Sequence, residues 1–297
     1  MLPHLYNALA LVSIVAPALA LDLPEYRALR TSLSGGVLNV TFHNPDAPLI
    51  NLWSQDTQDE MTDLVERLHV DNETKVVVFS SDVPRFFIAH LDTAIFAGPN
   101  TNFIFTFATL LYNITTLPQV TIGAIEGRAR GAGAEFISSL DMRFASKVDT
   151  LLGQPEVCAG LTPGAGGGVL LAQLVGRAQA MEYILSARDM TASEAERIGW
   201  INKAFESGAE MRAHINTLTS RIRLFPQASL RAAKESINRV ARPTFEEIYA
   251  EAESFTRVVR DPIVQQVQVA SGAVLASMDV LEAELTLPDW AHLWYEE

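Results

Sequence analysis

Three short runs rich in Val and Ile, VLNVTF (37–42), KVVVFSS (75–81) and VTIGAIEG (120–127), end at turn residues and are separated by helical stretches. This alternation constrains the fold more than any other feature of the chain. Strands alternating with helices predict an α/β core with substantially parallel pairing. Between the first two runs, SQDTQDEMTDLVERLHV has an acidic start and apolar Met61, Leu64, Val65 and Leu68 at helical spacing. Between the next two, NFIFTFATLLYNITTL is apolar enough for a mostly buried helix. Later segments read as helices: RAQAMEYILSA, then TASEAERIG with Thr191 as N-cap and Glu194 completing a capping box. GAEMRAHINTLTSRIRLF is ended by Pro226, and PQASLRAAKESINRV and TFEEIYAEAESFTRVVR follow. The expected division is a leader (1–20), a spiral core (21–225) and a helical C-terminal region (226–297).

Composition narrows the function. A chain of 297 residues with 48% hydrophobic content can bury one large core. The net charge of -13, with no long basic run, argues against a nucleic-acid partner. The single cysteine, Cys158, allows neither an internal disulfide nor a cysteine metal cluster, and reads as a small buried hydrophobe. The six histidines form no H-E-x-x-H, so no metal site is expected. Residues Ala8–Leu21 are almost wholly apolar and contain the small-residue pattern Ala18-Leu19-Ala20. This predicts a secretory signal peptide, although no Lys or Arg precedes the apolar stretch; an anchor or a buried helix is the alternative. Acceptor sequons at Asn39, Asn72 and Asn113 point the same way.

Two glycine-rich stretches carry the chemistry. EGRARGAGAEF (126–136) lacks the last glycine of a dinucleotide fingerprint, and PGAGGGV (163–169) lacks the G-K-[ST] ending of a phosphate loop. A different use fits the first. A helix starting near Ala132 would present unpaired N–H groups, and the small residues Gly131, Ala132 and Gly133 would let a substrate oxygen approach them. That is an oxyanion hole, with Glu135 one turn inside the helix. A second carboxylate, Glu156, lies in the turn-rich GQPEVCAGLTPGAGG. Two glutamates near one oxyanion hole could activate water and deliver a proton to carbon, their pKa values pushed apart by burial and repulsion. Glu135 also reads as an acid favoured at a helix start, and Glu156 as a turn cap. Arg85 and Lys234 read as solvated charges, or as contacts for an anionic ligand.

These stretches carry a family resemblance. Residues 124–146 and 151–205 are similar to the crotonase, or enoyl-CoA hydratase/isomerase, superfamily, and RFFIAHLDTAIF (85–96) resembles its first oxyanion loop. The resemblance implies a spiral of ββα turns forming two sheets, with C-terminal helices packing trimers or dimers of trimers. It implies an acyl thioester, with coenzyme A only as part of the substrate and no separate cofactor. The oxyanion donors would be the N–H groups of Leu91 and Ala132. Glu135 would activate water and Glu156 would protonate the carbon alpha to the carbonyl. Ala89, His90, Asp92, Gly131, Gly133, Pro163 and Gly164 would contact substrate. The chain departs from the family pattern at His90, where glycine is usual, at Leu91, and at Ala132 within a common G-G-G. HNPDAPLINLW lacks a basic residue expected near the nucleotide, and Asp46 would repel phosphates there. Hydration of a 2-enoyl thioester is the leading expectation. An isomerase, a thioester hydrolase or a non-catalytic secreted binding protein are the alternatives. The leader implies the secretory pathway; an uncleaved leader would restore a mitochondrial or peroxisomal setting.

Overall fold

A computed structural model describes residues 21–97 and 102–295, so the leader expectation at 1–20 lies outside the described residues. Among the described residues, ten strands form two sheets. The larger holds β1 (Leu29–Ser34), β2 (Val37–Phe42), β3 (Val76–Ser81), β5 (Val120–Ile125), β7 (Met142–Ser146) and β10 (Lys203–Phe205), in that order. Apart from the β1–β2 hairpin, its pairs are parallel. The smaller holds β4 (Phe86–Ile88), β6 (Arg128–Arg130), β8 (Leu151–Gly153) and β9 (Met190–Thr191). Its first three strands run parallel.

The chain order makes this a spiral. Each turn lays one strand in each sheet and then a helix: β3, β4 and α2 (Phe103–Thr116), then β5, β6 and α3 (Ala132–Ser139), then β7, β8 and, after a 3-10 turn at Glu156–Ala159, α4 (Gly167–Val175). The helix before the spiral, α1 (Gln55–Val70), is capped by Ser54 and buries Met61, Leu64, Val65 and Leu68. The capping box at Thr191 and Glu194 starts α6 (Ala192–Ile198), which follows α5 (Arg177–Ser186). Then come α7 (Gly208–Ile222), α8 (Gln227–Ala241), α9 (Phe245–Val259), α10 (Pro262–Leu275), α11 (Val280–Leu285) and α12 (Leu287–Trp290).

Phe136 fixes α3 against the core. Its ring meets Phe42 edge-on at 5.2 Å and Phe79 at 5.1 Å. Burying such a ring stabilises by about 2–3 kcal/mol. Gly133 lets α3 sit hard on β4, since a Cβ there would lie 2.3 Å from the Ile88 carbonyl oxygen. Among the sequons, Asn72 is exposed just beyond α1, Asn39 lies within β2 and Asn113 within α2. Arg85 and Lys234 are paired with Asp149 and Asp141 at 2.7 Å each; Arg85 is exposed, as a solvated charge would be, whereas the Lys234 side chain is only 10% exposed, which corrects that reading for Lys234. Among the described residues no helix is long and apolar enough to cross a membrane.

Candidate active site

The smaller sheet assembles the site. β4, β6 and β8 are adjacent and parallel, so their C-terminal ends open on one side. The chain leaving β4 carries His90 and Leu91, that leaving β6 carries Gly131, Ala132 and Glu135, and that leaving β8 carries Glu156. Segments distant in sequence meet because their strands are neighbours. A cavity of about 180 Å³ lies there, lined by these residues, by Gly164 and by the C-terminal helices.

Gly131 turns the chain from β6 into α3 with φ +48°, a conformation that L side chains resist. Its N–H is tied to the Gly153 carbonyl at 3.0 Å. The Ala132 N–H that follows has no partner among the described residues. Ala132 is helical, so its methyl group is tolerated in place of glycine. Leu91 offers a second donor. It forms an isolated parallel bridge with Trp53: the His90 carbonyl accepts from Trp53 N at 2.9 Å, and Asp92 N donates to Trp53 O at 3.0 Å. Successive peptides in extended chain face opposite ways, so the Leu91 N–H points away from Trp53.

Glu135 is only 2% exposed. Its Oε1 accepts from the N–H groups of Gly164, Ala165 and Gly167 at 3.0, 2.7 and 3.2 Å. Its Oε2 makes no such bond among the described residues. Burial pushes the carboxyl up to about 7, against the three amides, with the charge of Glu251 adding to the rise. Glu156 lies across the same turn: a Cβ on Gly131 would sit 2.9 Å from its Oε1. Gln154, oriented to satisfy its amide, donates to Glu156 Oε2 at 3.0 Å. Burial, then the charge of Glu135, raises Glu156 well above the usual carboxylate range. Cys158 is half-buried on the wall with its thiol pushed up to about 11, chiefly by burial, so it is a protonated wall group.

Opposite stands a histidine held from two sides. His90 Nδ1 lies 2.6 Å from the Leu91 carbonyl oxygen, and Nε2 lies 3.0 Å from Glu284 Oε1. Both ring nitrogens face acceptors, the arrangement that an imidazolium satisfies. Burial opposes that charge, but Glu284 and the carbonyl outweigh it and raise the His90 pKa. Arg130, fully buried, forks onto Asp189 and bonds the Glu284 carbonyl oxygen, fastening α11 over the cavity.

The structure brings together Leu91, His90, Gly131, Ala132, Glu135, Glu156 and Gly164. Other expected contacts lie off the wall. Ala89 is buried with its N–H on Asn51 O; Asp92 accepts from Ala94 N; Gly133 packs on Ile88; Pro163 is buried beside Gly167. Glu251 and Glu284 were not singled out by sequence. For Glu251 a signal exists: it sits beside the buried stripe Ile248, Ala252 and Phe255 of an amphipathic helix.

Two donors beside one buried and one half-buried carboxylate is the layout the sequence resemblance implied. The profile of the Enoyl-CoA hydratase/isomerase family matches residues 32–268. The chain belongs to this family. It is 32% identical over 209 residues to the short-chain-enoyl-CoA hydratase of Clostridium acetobutylicum, covering 69% of this chain and 78% of that one. It is 29% identical over 193 residues to the crotonyl-CoA hydratase of Syntrophomonas wolfei, covering 64% and 74%. A crystal structure from Streptomyces avermitilis, of a candidate enoyl-CoA hydratase, superposes with a TM-score of 0.81 at 35% identity over 91% of this chain and 98% of that one. The protein is thus an enoyl-CoA hydratase-like enzyme of the crotonase superfamily.

Proposed function

We propose that the enzyme adds water to a short 2-enoyl thioester, with the thioester oxygen on the Leu91 and Ala132 N–H groups and the protons handled by Glu135 and Glu156. One observation carries this reading: the two acids share one turn under unequal influences. Three amides favour ionised Glu135, whereas burial and the charges of Glu135 and Glu251 outweigh the one backbone N–H and the Gln154 amide that favour ionised Glu156. Glu135 therefore loses its proton first and serves as base, while Glu156 keeps one to give. Glu135 Oε2 takes a proton from water as the water oxygen bonds to Cβ. The π electrons move into the thioester, charge gathers on its oxygen, and Glu156 gives its proton to Cα.

The cavity's size and its closure by Leu275, Trp290 and Trp294 support a short acyl group. The expected repulsion of phosphates by Asp46 is offset, because Arg27 forks onto both its oxygens at 2.6 Å. Exposed Ile237 and Val240 on α8, the latter 90% exposed, support a trimer or dimer of trimers. The leader sequence and exposed Asn72 support passage through the secretory pathway; the intact mass of native protein, with or without leader and glycan, tests this. The main test is loss of the conjugated-thioester absorbance when purified protein meets four- to eight-carbon 2-enoyl-CoA. A folded wild type that leaves all of them unchanged overturns the proposal. Product mass separates water gain from isomerisation, which leaves mass unchanged, and from hydrolysis, which frees coenzyme A.

A further inference from the structure

The loop between Pro163 and Val169 serves two carboxylates at once. Gly164, Ala165 and Gly167 donate to Glu135, as described. The alternate amides turn the other way: Gly166 and Gly168 donate to Glu251 Oε2 at 2.7 and 3.4 Å, and Val169 to Oε1 at 2.8 Å. Every N–H from 164 to 169 is committed to one glutamate or the other. Glu251 comes from α9, and among the described residues no basic side chain pairs with Glu135, Glu156 or Glu251. A half-buried carboxylate without a cation is costly, so the amides and the start of α4 are what hold it. Nothing in the proposed chemistry uses it.

We propose that Glu251 is a positioning residue of the active site: from the C-terminal region it holds loop 163–169 in the shape that cradles Glu135, and it places a second carboxylate behind that base. Without the carboxylate, three amides lose their acceptor and the cradle loosens from behind. Without the charge, ionised Glu135 faces less repulsion and gives up its proton at lower pH. The charged groups facing Glu135 are Glu251 from α9 and Glu156 from the 3-10 turn; His90 and Glu284 line the same cavity, with Arg130 acting on that pair. Removing one of two facing carboxylates therefore has a defined sign.

The inference rests on Glu135 being the base, so its test reads Glu135 without substrate. Carboxyl-labelled glutamate is titrated by carbon NMR in ligand-free protein, the Glu135 signal being assigned by its loss in E135Q. E251Q, which keeps an acceptor but no charge, is expected to move the Glu135 midpoint acidward by about one pH unit, roughly tenfold in proton affinity. E251A is expected to speed amide exchange across 164–169 by about tenfold, with E251Q restoring most of the protection. A purely structural residue would leave the midpoint in place. An unmoved midpoint in folded E251Q overturns the proposal. A moved midpoint in a protein that hydrates no enoyl thioester leaves it standing and overturns only the hydratase reading.

Discussion

The floor and the roof of the cavity are built differently. The floor, Gly131 to Glu135 with loop 163–169, is held by backbone: Gly131 N on Gly153 O, Gly133 against Ile88 O, and three amides on one glutamate oxygen. The roof, α10 to the 3-10 turn Ala291–Tyr295, is held by side chains: His90 on Glu284, Arg130 on the Glu284 carbonyl, Trp290 Nε1 on Ala283 O, and the Tyr295 hydroxyl on Cys158 O. Backbone contacts leave little freedom to substitute. Side-chain latches permit exchange. The floor therefore suits reaction chemistry, and the roof suits the choice of acyl group.

The largest expected effect tests the floor. E135Q or E156Q should lower hydration about 1000-fold, within the range for loss of one acid or base, read as kcat on a short 2-enoyl-CoA. Activity should be bell-shaped in pH, rising as Glu135 ionises near 7 and falling as Glu156 does. The sign for stability is opposite to that for activity. Glu135 binds its proton more tightly folded than unfolded, so its contribution is full below about 4.5 and is lost as pH rises through about 7. E135Q should therefore gain about 1–3 kcal/mol over wild type at pH 8 and little at pH 4, measured by denaturant melts. An equal effect at both would refute a buried, titrating Glu135.

Next comes Gly131→Ala, which forces a methyl into positive φ and against Glu156 Oε1. It should cost about 1–3 kcal/mol and about 100-fold in kcat/KM, by melts and kinetics. The roof should answer less. E284Q weakens the charge on His90, and a loss of about 3- to 10-fold, mainly in KM, is expected together with faster hydrogen exchange over 280–295. If E284Q costs as much as E135Q, the division between floor and roof fails. The smallest change is Trp294→Ala. It enlarges the cavity and should shift the ratio of eight- to four-carbon kcat/KM upward by about threefold, with kcat on the shorter substrate nearly kept.

What the sequence disclosed follows the same division. β2, β3 and β5 are six residues long and rich in Val and Ile, so their pattern shows. β4, β6 and β8 are three residues each, too short for a period, and β6 reads Arg-Ala-Arg. The sheet that builds the site was therefore legible only through resemblance. Gly131, Ala132 and Glu135 were legible because a turn and a helix start demand particular local residues. Glu284 was not, because His90 meets it across 194 positions, and no local rule spans that distance. Loop 163–169 lacks the G-K-[ST] ending of a phosphate loop, yet its amides do bind anions, those of the protein's own glutamates.

The bridge between Trp53 and Leu91 makes the second oxyanion donor a matter of parity. Odd and even peptides along that stretch face opposite ways, so counting selects the donor and side-chain chemistry does not. A histidine can therefore occupy position 90 and a leucine position 91 without removing the donor. One residue inserted between Ala89 and Leu91 would turn the Leu91 N–H toward Trp53 and hand the donor's place to the residue before it.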